Sequence, residues 1–211
     1  MNNNDYTIRL KSIRAVFLGL DGVGKTSILE KYLGIENIDD PYSTILSNDY
    51  SKKIKFDDLD YTVRIIDTPG RERFINVLRV YIRNARIIFL VFDMTRKESF
   101  LHLDRLLEMI SENLNNNKVM FVLMGNKADL LDKFEIKEKD AKKFAEILNA
   151  KFFLSSAKNS AISLNEFIDG VFHDYIKLYN ERLDPDLIRR EENINLERRN
   201  RRRRRNARPL C

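Results

Sequence analysis

A chain of 211 residues with 43 % hydrophobic content is long enough for one globular domain with a sizeable core plus short extensions. No apolar run approaches the roughly 20 residues that span a bilayer, and the N-terminal "MNNNDYTIRLKS" lacks the apolar stretch of a secretory signal, so a soluble, intracellular protein is expected. The net charge of +6 is concentrated at one end: residues 189–211 carry ten arginines against three glutamates, +7, which leaves −1 on residues 1–188 and implies a basic appendage rather than a basic nucleic-acid-binding surface.

The predicted elements alternate along the chain. "IRAVFLG" at 13–19 reads as a strand and precedes a helical "KTSILEKYL". "DYSKKIKF" and "YTVRIID" form an apparent hairpin across the acidic turn "DDLD". "ARIIFLVFD" at 85–93 precedes "SFLHLDRLLEMISENL"; "KVMFVLMGN" at 118–126 precedes "KEKDAKKFAEILNA"; "KFFLSS" at 151–156 precedes "LNEFIDGVFHDYIKLY". Near-continuous apolar strands such as "IIFLVF" suit a parallel sheet covered by helices on both faces, so the fold class is α/β, three-layered and doubly wound. No internal repeat is evident. The expected organisation is an N-terminal extension over 1–12, a domain over 13–180 and a basic tail over 181–211, in which Asp184 followed by Pro185 is a helix-start signal. His102 and His173 fall in helical stretches and read as packing or solvated residues. The single cysteine, Cys211, is the last residue, which excludes an intrachain disulfide and a Cys-based zinc site.

Ligands of such sheets bind beyond the carboxyl ends of the strands, so the residues just after each strand are the informative ones. "GLDGVGKT", Gly19 to Thr26, fits G-x-x-x-x-G-K-[ST] between a strand and a helix. In that setting the loop N–H groups face phosphate oxygens, Lys25 reaches the β and γ phosphates and the Thr26 hydroxyl ligates Mg2+. A glycine turn capping a helix beside a solvated lysine is the plain alternative. "GNKAD" brings Asn126, Lys127 and Asp129 to another strand end, where the Asp129 carboxylate suits the paired N–H donors of guanine; adenine offers no such pair and would leave the carboxylate unpaired at a cost of about 1–3 kcal/mol. "SSAK", Ser155 to Lys158, ends the last strand and can present backbone N–H groups to the guanine carbonyl. These guanine motifs weigh against a P-loop kinase or ATPase.

With these motifs the chain resembles a small GTPase of the Ras superfamily, nearest the Rab family, from about Ile13 to Tyr179. "GLDGVGKT" is similar to the family's phosphate loop, "STI" with Thr44 to its first switch, and "DTPGRERF" at 67–74 to its second. The resemblance implies a P-loop NTPase G domain with a six-stranded, mainly parallel sheet, one antiparallel edge strand and five helices. It implies GTP or GDP with Mg2+ as cofactors. The nucleotide-binding residues it implies are Asp21, Gly22, Val23, Gly24, Lys25, Thr26, Ser27, Thr44, Asp67, Gly70, Asn126, Lys127, Asp129, Ser156, Ala157 and Lys158. Thr26, Thr44 and, through water, Asp67 are the implied metal residues, and Lys25, Thr44 and Gly70 join Arg71 as the catalytic positions. Effector proteins are expected on residues 39–46 and 70–80, together with an exchange factor and a GTPase-activating protein.

Four positions depart from the family. Arg71 stands where a glutamine normally orients the attacking water, and a guanidinium has no acceptor for that water's proton. Slow hydrolysis is therefore expected; an internal arginine finger and a merely solvated side chain are the alternatives. Asp21 replaces a usual Gly or Ser, Asn37 stands where an aromatic ring covers the guanine, and Pro69, where Ala is usual, stiffens the second switch. A scaffold of the same fold, non-hydrolysing or without nucleotide, is the reading from another class. In the tail, Cys211 is placed for a prenyl group, although there is neither a C-a-a-X box nor a cysteine pair. Arg201 to Arg205, with Arg198, Arg199 and Arg208, would supply the second, electrostatic membrane signal. RNA binding and nuclear import are rival readings of that run, but no interleaved aromatics accompany it, so no specific nucleic acid is expected. Together these features place the expected protein in the cytoplasm, peripheral on the cytosolic face of an intracellular membrane, in vesicle traffic.

Overall fold

The computed structural model describes residues 12–35, 48–57, 59–70, 75–114, 119–156 and 161–182. Their elements are β1 (Ser12–Leu18), α1 (Lys25–Leu33), β2 (Asn48–Phe56), β3 (Leu59–Asp67), α2 (Ile75–Arg83), β4 (Ile87–Asp93), α3 (Lys97–Asn113), β5 (Met120–Asn126), a single 3-10 turn (Leu131–Lys133), α4 (Glu138–Ile147), β6 (Lys151–Leu154) and α5 (Ala161–Arg182). The six strands form one sheet in the order β2-β3-β1-β4-β5-β6. Only the edge strand β2 runs antiparallel, against β3; every other pairing is parallel. The fold expected from the sequence is the fold observed.

Strand alternation divides the core into two layers. Ile13, Ala15 and Phe17 of β1 face the layer shared with α1 and α5, while Val16 and Leu18 face the one shared with α2, α3 and α4. β4 lies at the centre and all seven of its residues are buried, which explains the unbroken apolar run from Ile87 to Phe92. Phe17 and Phe89, opposite each other on β1 and β4, stack with centroids 4.2 Å apart, and Phe172 of α5 meets Phe89 edge-on at 6.2 Å. β2 alternates exposed and covered positions because one of its faces meets solvent.

Several elements differ from the expectation. β3 starts at Leu59, inside "DDLD", because the turn tightens at Asp57, whose φ is 50°. α5 runs to Arg182, two residues beyond the expected domain end. α2, over "INVLRVYIR", was not read as a helix from residue pattern, although Ile75, Leu78 and Ile82 recur at helical spacing. No described helix is long and apolar enough to cross a membrane.

Phe89 is 0 % exposed and meets β1 and α5 through one ring contact each. Phe89→Ala should lower stability by about 3–5 kcal/mol, the range for a buried aromatic truncation, read as a lower midpoint in urea unfolding.

Candidate functional site

The strand order reverses at β1, whose neighbours lead to opposite sides of the sheet, and the loop after β1 enters the crevice this creates. The loop has no room for side chains at two of its glycines. A Cβ on Gly19 would lie 2.1 Å from the Val91 carbonyl oxygen, and one on Gly24 (φ 95°) would lie 2.2 Å from Asn126 Nδ2. Gly24 also caps α1 without any side-chain bond to the first-turn amides, so those N–H groups keep their donor capacity at the loop.

The loop closes around Lys25. This side chain is 5 % exposed and its ammonium donates to the Gly19 and Leu20 carbonyls, each at 3.0 Å. Burial pushes its pKa from the ordinary 10.5 down to about 8; Asp67 and Asp21 oppose that shift and Arg96 adds to it. Beside it, the Thr26 hydroxyl donates to Asp67 Oδ2 at 2.6 Å, with Asp67 fully buried at the end of β3. The chain following β3 is pressed against the same loop: a Cβ on Gly70 would come within 2.2 Å of the Asp21 backbone nitrogen. The Thr68 hydroxyl ties that segment to β1 through the Phe17 carbonyl at 2.6 Å.

A second group assembles at the ends of β5 and β6. Asn126, 2 % exposed, donates from Nδ2 to the Val23 carbonyl at 2.8 Å and accepts from the Ser155 hydroxyl at 3.2 Å. Asp129 accepts from the Ser156 hydroxyl at 2.7 Å. Lys127 adopts φ 62° and pairs with Asp93 Oδ2 at 2.5 Å. Burial pushes the Asp93 carboxyl up, but Lys127 and the Thr95 hydroxyl and N–H outweigh it and hold the carboxyl below its ordinary range.

Asp21 to Ser27, Asp67, Gly70, Asn126, Lys127, Asp129 and Ser156 thus gather at the carboxyl ends of β1, β3, β5 and β6. Thr44, Arg71, Ala157, Lys158, Cys211 and Asn37 lie outside the described residues, as do residues 39–46 and 71–74. Sequence reasoning missed Arg96, which precedes α3 and donates from Nη2 to the Asp21 carbonyl at 2.7 Å, with Nη1 3.9 Å from the Cβ position of Gly22. The signal was present in "FDMTRKESF", the strand end after β4, which carries no familiar motif but opens on the same crevice.

Chemically, the arrangement offers an anion cradle of backbone amides around a buried ammonium, a hydroxyl and carboxylate of the hard oxygen type that suits Mg2+, and an oriented carboxylate for a donor pair. Comparison with known proteins agrees. The family model described as the Ras family matches residues 14–177. The chain is similar to Ras-related protein RABA4a of Arabidopsis thaliana, 32 % identical over 169 residues, or 80 % of this chain and 74 % of the relative. It is also similar to Ras-related protein Rab-22A of Homo sapiens, 33 % identical over 159 residues, or 74 % of this chain and 80 % of the relative.

Lys25 links the site to pH. The unfolded lysine keeps its proton up to about 10.5 and the folded one releases it from about 8, so between those values the unfolded state binds more protons and stability rises with pH. The gain available is about 3 kcal/mol at most. Urea unfolding of nucleotide-stripped protein from pH 7.5 to 10 should show this upward component, and Lys25→Met should remove it.

Proposed function

The chain belongs to the Ras family as a divergent Rab-like small GTPase, and from that premise we propose that it is a guanine-nucleotide switch with slow intrinsic GTP hydrolysis, acting in membrane traffic. GTP or GDP with Mg2+ are the cofactors of this family. The single observation that carries the reading is the Asn126 bond to Val23, which joins the carboxylate group of Asp129 and Ser156 to the loop around Lys25. A base at one end and phosphates at the other would then be held by one rigid frame.

The residues present fit the implied cofactors. Thr26 and Asp67 lie 2.6 Å apart as hard oxygen donors for Mg2+, with Thr44 as the third expected contributor, and the glycine loop leaves its amides toward the cradle. The metal, when bound, neutralises charge on the β and γ phosphates. Lys25 adds a compact positive charge at those phosphates, and the Gly70 N–H is the donor for the terminal one. Asp21 to Ser27 cradle the remaining oxygens, and Asn126, Lys127, Asp129, Ser156, Ala157 and Lys158 hold the base. Arg71 replaces the acceptor that would position the attacking water, so hydrolysis depends on a partner protein.

The family's contact segments, residues 39–46 and 70–80, would recruit effectors, an exchange factor and a GTPase-activating protein. Residues 13–180 serve as the G domain and 181–211 as a tail that reaches the cytosolic face of an intracellular membrane through its arginines and a prenyl group on Cys211. The competing reading, a non-hydrolysing scaffold with a polyanion-binding tail, rests on Asn37, Arg71 and Asp21.

Under single-turnover conditions GTP should persist for hours on the wild-type protein, and Arg71→Gln should speed its conversion to GDP by roughly tenfold or more, one lost positioning contact being worth at least about 1.4 kcal/mol. Equal rates would remove Arg71 as the cause of slow turnover. Cys211→Ser should move the protein from the membrane to the soluble fraction of cell lysates; unchanged fractionation would remove the lipid from the account.

A further inference from the structure

Arg96 occupies a position that α3 itself does not favour. It is the N-cap of that helix, where an acceptor side chain normally receives the first amides, and a guanidinium carries donors but no acceptor. Its charge also stands at the positive end of the helix. Within the side chain, Nε is buried and makes no hydrogen bond, and the charge adds to the lowering of the Lys25 pKa that burial causes. Each of these is a cost to the structure as it stands.

The residue is nonetheless held firmly. Its N–H donates to the Asp93 carbonyl at 3.0 Å, and its own carbonyl accepts from the Ser99 N–H at 3.0 Å and from the Ser99 hydroxyl at 2.7 Å. Asp93 is in turn paired with Lys127 at the base end of the site. From this anchor Nη2 donates to the Asp21 carbonyl at 2.7 Å, and Nη1 stands 3.9 Å from where a Cβ on Gly22 would lie. The Asp21 carbonyl and the Gly22 N–H belong to one trans peptide unit, so drawing the carbonyl toward α3 turns the N–H to the opposite side of the loop. Gly22 has φ 75°, a left-handed value of the kind that lets successive backbone N–H groups converge on an anion. A charged donor on the carbonyl also polarises the unit and strengthens the N–H at its other end.

We infer that Arg96 is a positioning residue for the phosphate end of the nucleotide: it aims and polarises the Gly22 N–H and sets a second full positive charge behind the loop, so that the site favours nucleotides with more phosphates. The inference rests on the guanine-nucleotide reading above. It accounts for a residue that serves α3 poorly, because a polyanion in the loop offsets the cost of two cations held close together.

The full chain, loaded with a fluorescent GDP analogue in Mg2+, would be displaced at equilibrium by GMP or by GDP, and the ratio of the two midpoints gives the preference for the diphosphate. Arg96→Met removes donor and charge, Arg96→Gln keeps a donor for the Asp21 carbonyl without the charge, and Arg96→Lys keeps both. The preference should fall at least about tenfold in Arg96→Met, the worth of one charge-assisted hydrogen bond. It should fall about fivefold in Arg96→Gln and return to within about twofold of wild type in Arg96→Lys. In 15N-labelled protein, the downfield movement of the Gly22 amide proton on GDP loading should shrink in Arg96→Met while that of Gly24 persists. An unchanged preference in Arg96→Met, even with both nucleotides weakened together as a mere brace for the loop would cause, overturns the inference and leaves the nucleotide reading standing. A wild-type chain that takes up no guanine nucleotide overturns both. Should Arg96→Met fail to take up the analogue, the fall in Arg96→Gln and its recovery in Arg96→Lys decide in its place.

Discussion

A buried cation and a buried carboxylate at the carboxyl edge of the sheet set the terms for everything around them. Lys25 and Asp67 are both almost free of solvent, and each charge withdrawn from water costs several kcal/mol before its partners are counted. Two carbonyls receive the ammonium and a threonine hydroxyl meets the carboxylate, so the loop must wrap tightly and α1 must start where it does. Glycines are consequences of that wrapping. The aromatic stack of Phe17 and Phe89 beneath the site supplies the rigid floor that holds the wrapped loop against β4.

The same loop is touched from three directions. Gly70 approaches it from β3, Asn126 from β5 and Arg96 from the start of α3. The Gly70 approach has an energetic meaning, because backbone packed within a Cβ of backbone leaves no slack: a change in the loop has to be answered in the segment after Asp67. Pro69, with its fixed φ and missing donor, stands next to that contact and restricts which answers the segment can give. The packing therefore couples the loop directly to the segment after Asp67.

Much of this was legible in the sequence, and the exceptions share a cause. β4 announced itself because both faces are buried and no polar residue interrupts the run; the phosphate loop did so because its glycines and lysine recur at one fixed spacing that only one geometry needs. The Asp129 and Ser156 pair was visible as two motifs, yet their contact arises only when β5 and β6 align in parallel. Arg96 reaches a carbonyl 75 positions away in the chain, a contact set by strand order rather than by any local pattern. The early start of β3 was hidden by a left-handed Asp57, a conformation that an Asp-Asp pair permits but does not announce.

Arg96 also bears on the electrostatic logic of the site. A second cation near Lys25 adds to the lowering of the lysine's pKa that its burial causes. Its carbonyl bond to Asp21 explains its placement but not its charge, because an amide side chain could donate there as well. The charge is tolerable where the loop is to face a ligand with several negative charges, for which two cations and a row of amides lower the energy together.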